Sequence, residues 1–285
     1  MNAIVRLERL AARDVGRGIE PLAAAARGGL LAAATAIATA PEPRVAFVTG
    51  CFVVGAAPPA PETDGPVGAA LAAGALAALG IPARLVTDER CAAVTGACAG
   101  ALPGDAAPVP LHAGDDPGAL ARELTTAGVT HLVFVERLGP AADGVVRNMR
   151  GEDVGAVTPP LHRLASGPWT TVGVGDGGNE VGMGALPAEL VAAAVAHGER
   201  IRCAVACDAL IVAGLSNWGA IALAHAVALL RGASADVSPA DHDEVLAAAV
   251  AAGAVDGVLG RPAQSVDGVG AALQHELLNA LAAAR

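Results

Sequence analysis

Residues 172–184, VGVGDGGNEVGMG, place Asp176, Asn179 and Glu180 among six glycines. Glycine lets a backbone adopt positive φ and approach a ligand closely. Two carboxylates within five residues can hold a divalent cation through oxygen ligands, or can act as a general acid and base pair. The spacing admits both, with Asp176 and Glu180 as ligands and Mg2+ or Mn2+ as the cation. The run is not a dinucleotide fingerprint, because that motif sets its glycines at the first strand-to-helix turn with an acid about twenty residues later.

Three other stretches carry polar chemistry. In 62-ETDGP-66, Glu62 and Asp64 point the same way if the chain is extended, and Pro66 suits the start of a helix. Glu136 and Arg137 are followed by 147-RNMRGED-153. The guanidinium of Arg137, Arg147 or Arg150 can clamp a carboxylate bidentately, and Asn148 adds a neutral donor and acceptor. In 216-SNWG-219, Ser216 or Asn217 would cap a helix whose first amides attract an anion, with Trp218 as a candidate wall.

Missing residue types narrow the chemistry further. All 18 basic residues are arginine, and the chain has neither lysine nor tyrosine. A Schiff-base enzyme, pyridoxal-phosphate enzymes included, needs a lysine amine, and so does a Walker-type phosphate loop. Proton transfer falls to Asp, Glu, His, Cys or bound water. The net charge of -10 disfavours nucleic acid and anionic membrane as partners. The seven histidines form no metal-ligand spacing. The five cysteines (Cys51, Cys91, Cys98, Cys203, Cys207) form no CxxC, which disfavours a disulfide framework or zinc site and suits a reducing cytoplasm. The first twenty residues mix both charges and contain no signal-like apolar run.

The elements that must position these residues are legible as apolar runs. Residues 44–50, 83–89, 131–137, 170–177 and 209–216 are apolar almost throughout rather than alternating, as strands buried on both faces are. Helical spacing occupies 66–80, 117–127, 187–198, 217–231 and 239–252. Residues 22–40 and 209–230, interrupted by Arg27 and by Ser216, Asn217 and His225, read as buried helices rather than membrane spans. The alternation predicts a layered α/β/α fold with a mostly parallel sheet, Rossmann-like in broad architecture. No linker divides the chain, so residues 1–285 are expected to form one domain, with an excursion at 91–116. In such sheets ligands bind beyond the carboxyl ends of the strands, where all four polar loops fall.

Taken together, the blocks VTG…ETDGPVGA, VERLGPAADGVVRNMRG, TVGVGDGGNEVGMG, LIVAGLSNWGA and VDGVLG…SVDG, in this order between about residues 44 and 268, resemble the D-glutamate cyclase family, in its C-terminal-type domain. The resemblance implies dehydration of D-glutamate to 5-oxo-D-proline. Glu180 or Asp176 would then be the base. A cation held by carboxylates, or a protonated Glu62, would activate the γ-carboxyl group. Asp64, Glu136, Asn148, Asn179, Ser216 and Asn217 would line the substrate site, and Arg150 or Arg137 would bind the α-carboxylate. The amides of Gly177, Gly178 and the SNWG helix start would stabilise the oxyanion. Similar domains in mammals belong to a longer mitochondrial protein, and this chain is expected to stand alone, as a bacterial-type member. The expected partner is a small amino acid or dicarboxylate, with homo-oligomers admitted. Two rival readings are a cofactor-independent racemase using two thiols and a binding module without turnover.

Overall fold

A computed structural model describes residues 2–102, 109–235 and 237–284. Helices α1 (Asn2–Ala11), α2 (Glu20–Ala25) and α3 (Gly29–Thr39) precede strand β1 (Val45–Thr49) and a small hairpin of β2 (Phe52–Val53) and β3 (Ala60–Pro61). There follow α4 (Pro66–Ala78), β4 (Ala83–Thr87), α5 (Ala92–Gly100), β5 (Leu111–Ala113), α6 (Pro117–Thr126), β6 (His131–Val135) and β7 (Thr170–Gly175). The chain continues through α7 (Ala188–Ala194), α8 (Gly198–Ile201), β8 (Ala209–Val212), α9 (Ser216–Leu230) and α10 (Pro239–Ala251). It ends with a hairpin of β9 (Ser265–Val266) and β10 (Val269–Gly270), and with α11 (Ala271–Ala283).

Six strands form one sheet in the order β5-β4-β1-β6-β7-β8, every pair parallel. Every residue of β1 and β6 is buried, which is why their sequences run apolar without alternation. The fold is therefore the layered α/β architecture that the apolar runs indicate. Strand order reverses between β1 and β6, and such a switch point opens a crevice at the strand carboxyl ends.

Three details differ from the sequence expectation. Residues 22–40 are two helices, broken at Gly28, whose φ is 92°. Residues 209–230 divide into β8 and α9 rather than forming one helix. Within 91–116, α5 and edge strand β5 belong to the main layers, while residues 103–108 lie outside the described residues. No helix among the described residues is long and apolar enough to cross a membrane.

The chain has only three Phe and two Trp, so alanine and glycine must fill the core by close approach of backbones. Helices α4 and α9 show the consequence. A Cβ at Gly68 would lie 2.3 Å from the Cα of Asn217, so the two helix starts touch backbone to backbone. That contact places 62-ETDGP-66 directly against 216-SNWG-219.

Candidate active site

Asp64, Glu136 and Asp176 each present a carboxylate oxygen within 4.8 Å of the others. Asp64 lies just before α4, Glu136 directly follows β6, and Asp176 directly follows β7. All three therefore stand at the carboxyl edge of the sheet. Glu136 sits at φ 47°, a conformation that costs a non-glycine residue energy and recurs at functional sites.

The start of α9 fixes two of these acids. The amides of Ser216 and Asn217 donate to Asp64 at 2.9 and 2.8 Å. The Ser216 hydroxyl donates to Glu136 at 2.6 Å. The anion attracted by this helix terminus is thus an internal one. Asn217 accepts from the amides of Gly65 and Gly68 at 2.8 and 2.7 Å and donates to the Thr63 carbonyl. Its side chain cross-links two helix starts.

Two more acids close the cluster. Glu62 is buried, and its Oε1 has no hydrogen-bond partner. A Cβ at Gly257 would lie 2.4 Å from Glu62 Oε2 and 2.7 Å from Asp267 Oδ1, so this glycine lets the two carboxyl groups stand close together. Asp267 comes from the β9–β10 turn. The cation in the cluster is Arg17, on the segment between α1 and α2. It pairs with Asp176 at 2.7 Å and with Asp267. Asp14 accepts from the amides of Arg17 and Gly18 and shapes that segment.

Burial pushes these acids upward and neighbouring carboxylates add to it, while Arg17 pulls Asp176 and Asp267 back down. Glu62, Glu136 and Asp176 are held well above the usual carboxylate range, and Asp267 is also raised. Asp64 is pushed up to about 7, with the amides of α9 pulling it back. Arg17 loses by desolvation but gains more from Asp176 and Asp267, and its affinity for the proton rises.

Several residues singled out in the sequence do other work. Both Glu180 oxygens accept backbone amides, those of Asp176, Gly177 and Gly178, at 3.1, 2.6 and 2.7 Å. Glu180 therefore ties the glycine loop to itself, and the amides of Gly177 and Gly178 are not open to an oxyanion. The glycines serve close packing of the loop on its own strand: a Cβ at Gly173 would lie 2.4 Å from the Val181 carbonyl. Arg137 is fully buried, pairs with Asp88 and donates to the carbonyls of Gly50 and Pro159, so it does not face the acids. Asn148 closes its own turn, accepting from the amides of Arg150 and Glu152. Arg150 is exposed beside Gly55. Asn179 donates to the Arg147 carbonyl. Trp218 is buried in the core and donates to Gln274.

Arg17 is the residue that sequence reasoning missed. Its only local signal is a glycine on either side, both at positive φ. A separate shallow pocket, lined by residues of α9 and α11 such as Leu229 and Leu281, contains none of these carboxylates. The acids themselves are nearly sealed, with Glu62, Asp64, Glu136 and Asp176 at most 8% exposed.

Comparison with known proteins gives this geometry its setting. The chain is 34% identical over 188 residues to the human protein named D-glutamate cyclase, mitochondrial. That match covers 60% of this chain and 30% of the human protein, so the chain spans under a third of its relative's length. The family described as "D-glutamate cyclase-like, C-terminal" matches residues 7–282, a span that includes Arg17, Asp64, Glu136, Asp176 and Asp267. The chain belongs to the D-glutamate cyclase-like C-terminal family.

Proposed function

We propose that the chain converts D-glutamate to 5-oxo-D-proline in the carboxylate cluster. The observation that carries the reading is the convergence of Glu62, Asp64, Glu136, Asp176 and Asp267 on one guanidinium, Arg17, at the switch point of a chain of this family.

The reaction needs no co-reactant. An ammonium and a γ-carboxylate become an amide and one water. The amine nitrogen loses two protons, the new C–N bond forms, a C–O bond breaks, and both protons leave on that oxygen. A site for this chemistry must anchor the α-carboxylate, carry protons from nitrogen to oxygen, and exclude water. Arg17 supplies the anchor by leaving Asp176 and Asp267 for the substrate, with the bidentate fork suited to a carboxylate. Glu62, buried with a free oxygen, is placed to pass protons. Holding amine and γ-carbonyl at contact distance lowers the entropic barrier to ring closure.

The thiols weigh against a two-thiol racemase. Cys51 lies beside Glu62, and Cys91 beside Gly50, but burial pushes both thiols well above their ordinary range, which suppresses the thiolate that such a reaction requires. Five free cysteines also favour a reducing compartment, and we place the protein in the cytoplasm. The test is incubation with D- and L-glutamate, followed by proton NMR. Lactam from D-glutamate, matched by loss of substrate, supports the reading. Bound but unconverted D-glutamate would leave a binding module in its place.

A further inference from the structure

We propose that Asp64, Glu136 and Asp176 bind one divalent cation of the Mg2+ or Mn2+ class. The site's role in turnover rests on the cyclase reading above; its existence does not.

The donor set is three carboxylates whose oxygens lie within 4.8 Å of one another. Two oxygens on one ion are separated by at most twice the metal–oxygen distance, which is roughly 4.2 Å for Mg2+ and somewhat more for larger cations. Neighbouring oxygens of an octahedron at that metal–oxygen distance lie about 3 Å apart, so the three carboxylates, already within 4.8 Å of one another, would draw together around the ion. Oxygen-only ligation selects a hard cation over zinc or copper.

A second observation is independent of the clustering. Asp176 is 2% exposed, gives Oδ1 to Arg17, and leaves the fully buried Oδ2 with no hydrogen-bond partner. Thr49 is also fully buried; its Oγ1 lacks a partner and would lie 2.6 Å from a Cβ on Gly65, which would itself be 2.9 Å from the Glu136 Cβ. Native interiors pair nearly all such atoms, so an unpaired buried carboxylate oxygen beside two other carboxylates points to a missing positive partner.

The surroundings are also those of a metal site. Asp64 is oriented by two amides, and Glu136 by the Ser216 hydroxyl, as outer groups orient metal ligands. Arg17 pairs with Asp176 and Asp267 and with neither Asp64 nor Glu136. A cation here would add positive charge beside them and would polarise the γ-carboxyl group as a Lewis acid. This donor set replaces the Asp176–Glu180 pair suggested by spacing, because Glu180 is held by three amides.

The test uses the whole chain, stripped with a chelator and dialysed, then titrated with Mn2+ while free Mn2+ is followed by electron paramagnetic resonance. Wild type is expected to bind one Mn2+ per chain, displaced by excess Mg2+. Asp176→Asn and Glu136→Gln should each bind at least tenfold more weakly, and Ser216→Ala roughly 10- to 100-fold more weakly, with unchanged circular dichroism. Arg17→Met, which removes the competing guanidinium, should bind Mn2+ at least as tightly as wild type. Failure of wild type to retain Mn2+, or equal binding by folded Asp176→Asn and Glu136→Gln, overturns the site. Lactam formation at full rate in chelator removes the cation from the chemistry and leaves the cyclase reading intact. Stoichiometric Mn2+ binding without any lactam does the reverse.

Discussion

Three backbone amides converge on the Glu180 carboxylate, so loss of one acceptor oxygen is felt in folding first. In Glu180→Gln, one oxygen becomes an amide group that faces other donors. A buried donor without its acceptor costs about 1–3 kcal/mol, and urea unfolding should show a loss of that size. Wild-type stability in that variant would mean the loop is held by something else. Arg17 calls for a kinetic test. Arg17→Ala should raise KM for D-glutamate roughly tenfold to a hundredfold, the range for a lost hydrogen bond to a charged group, with a smaller fall in kcat. An unchanged KM would free Arg17 of contact with the substrate. The acids were legible because charged side chains are rare in apolar, glycine-rich loops. Arg17 was not, because its partners Asp176 and Asp267 are distant in sequence and only the fold brings them to it. Nor could spacing show that Glu180 turns back on its own loop, because hydrogen bonding to local amides leaves no mark in composition.

At the scale of elements, the contact between α4 and α9 sets the site. Gly68→Ala forces a methyl group against the Asn217 backbone, where neither helix has a flexible side chain to yield. Overpacking of this kind costs typically about 1–3 kcal/mol. It should also disturb the hydrogen bonds that hold Asp64, so activity should fall along with stability. A Gly68→Ala protein as stable and active as wild type would show that the helix starts are not in tight register. The strands were legible because a parallel sheet covered on both faces demands unbroken apolar runs, as in VAFVT and HLVFV. The three-residue β5 was not, being too short for any period to show. The Ala-rich stretches gave helices but not their ends: residues 187–198 hold α7 and the start of α8, with Val195 extended between them.

For the whole molecule, parallel strand direction is what makes four separate loops meet. Every β-to-α loop leaves from the same edge, so Asp64, Glu136, Asp176 and Ser216 come together without being near in sequence. This convergence follows from strand assignment alone. The closing pieces, Arg17 before the sheet and Asp267 after it, depend on how the chain's two flanks fold over that edge. The same dense packing governs the thiols. Burial pushes Cys98, Cys203 and Cys207 up to about 12, so the reactive thiolate is scarce at neutral pH. Iodoacetamide at pH 7.5 should leave the native chain largely unlabelled, and all five cysteines should react after unfolding in urea. Rapid labelling of the native chain, with loss of activity, would return a thiol to the mechanism.

The central claim is that buried carboxyl groups around Arg17 close D-glutamate into a lactam, with Glu62 carrying protons. Steady-state turnover of D-glutamate by wild type and by Glu62→Gln tests it most directly, with circular dichroism recorded on both. Glutamine keeps the size and hydrogen-bonding shape of Glu62 but cannot cycle a proton, so kcat should fall roughly 10²-fold or more, the scale of a lost general acid or base. The predicted result is 5-oxo-D-proline from wild type and a folded, nearly inactive variant. No lactam from wild type, or full turnover by Glu62→Gln, would contradict the account.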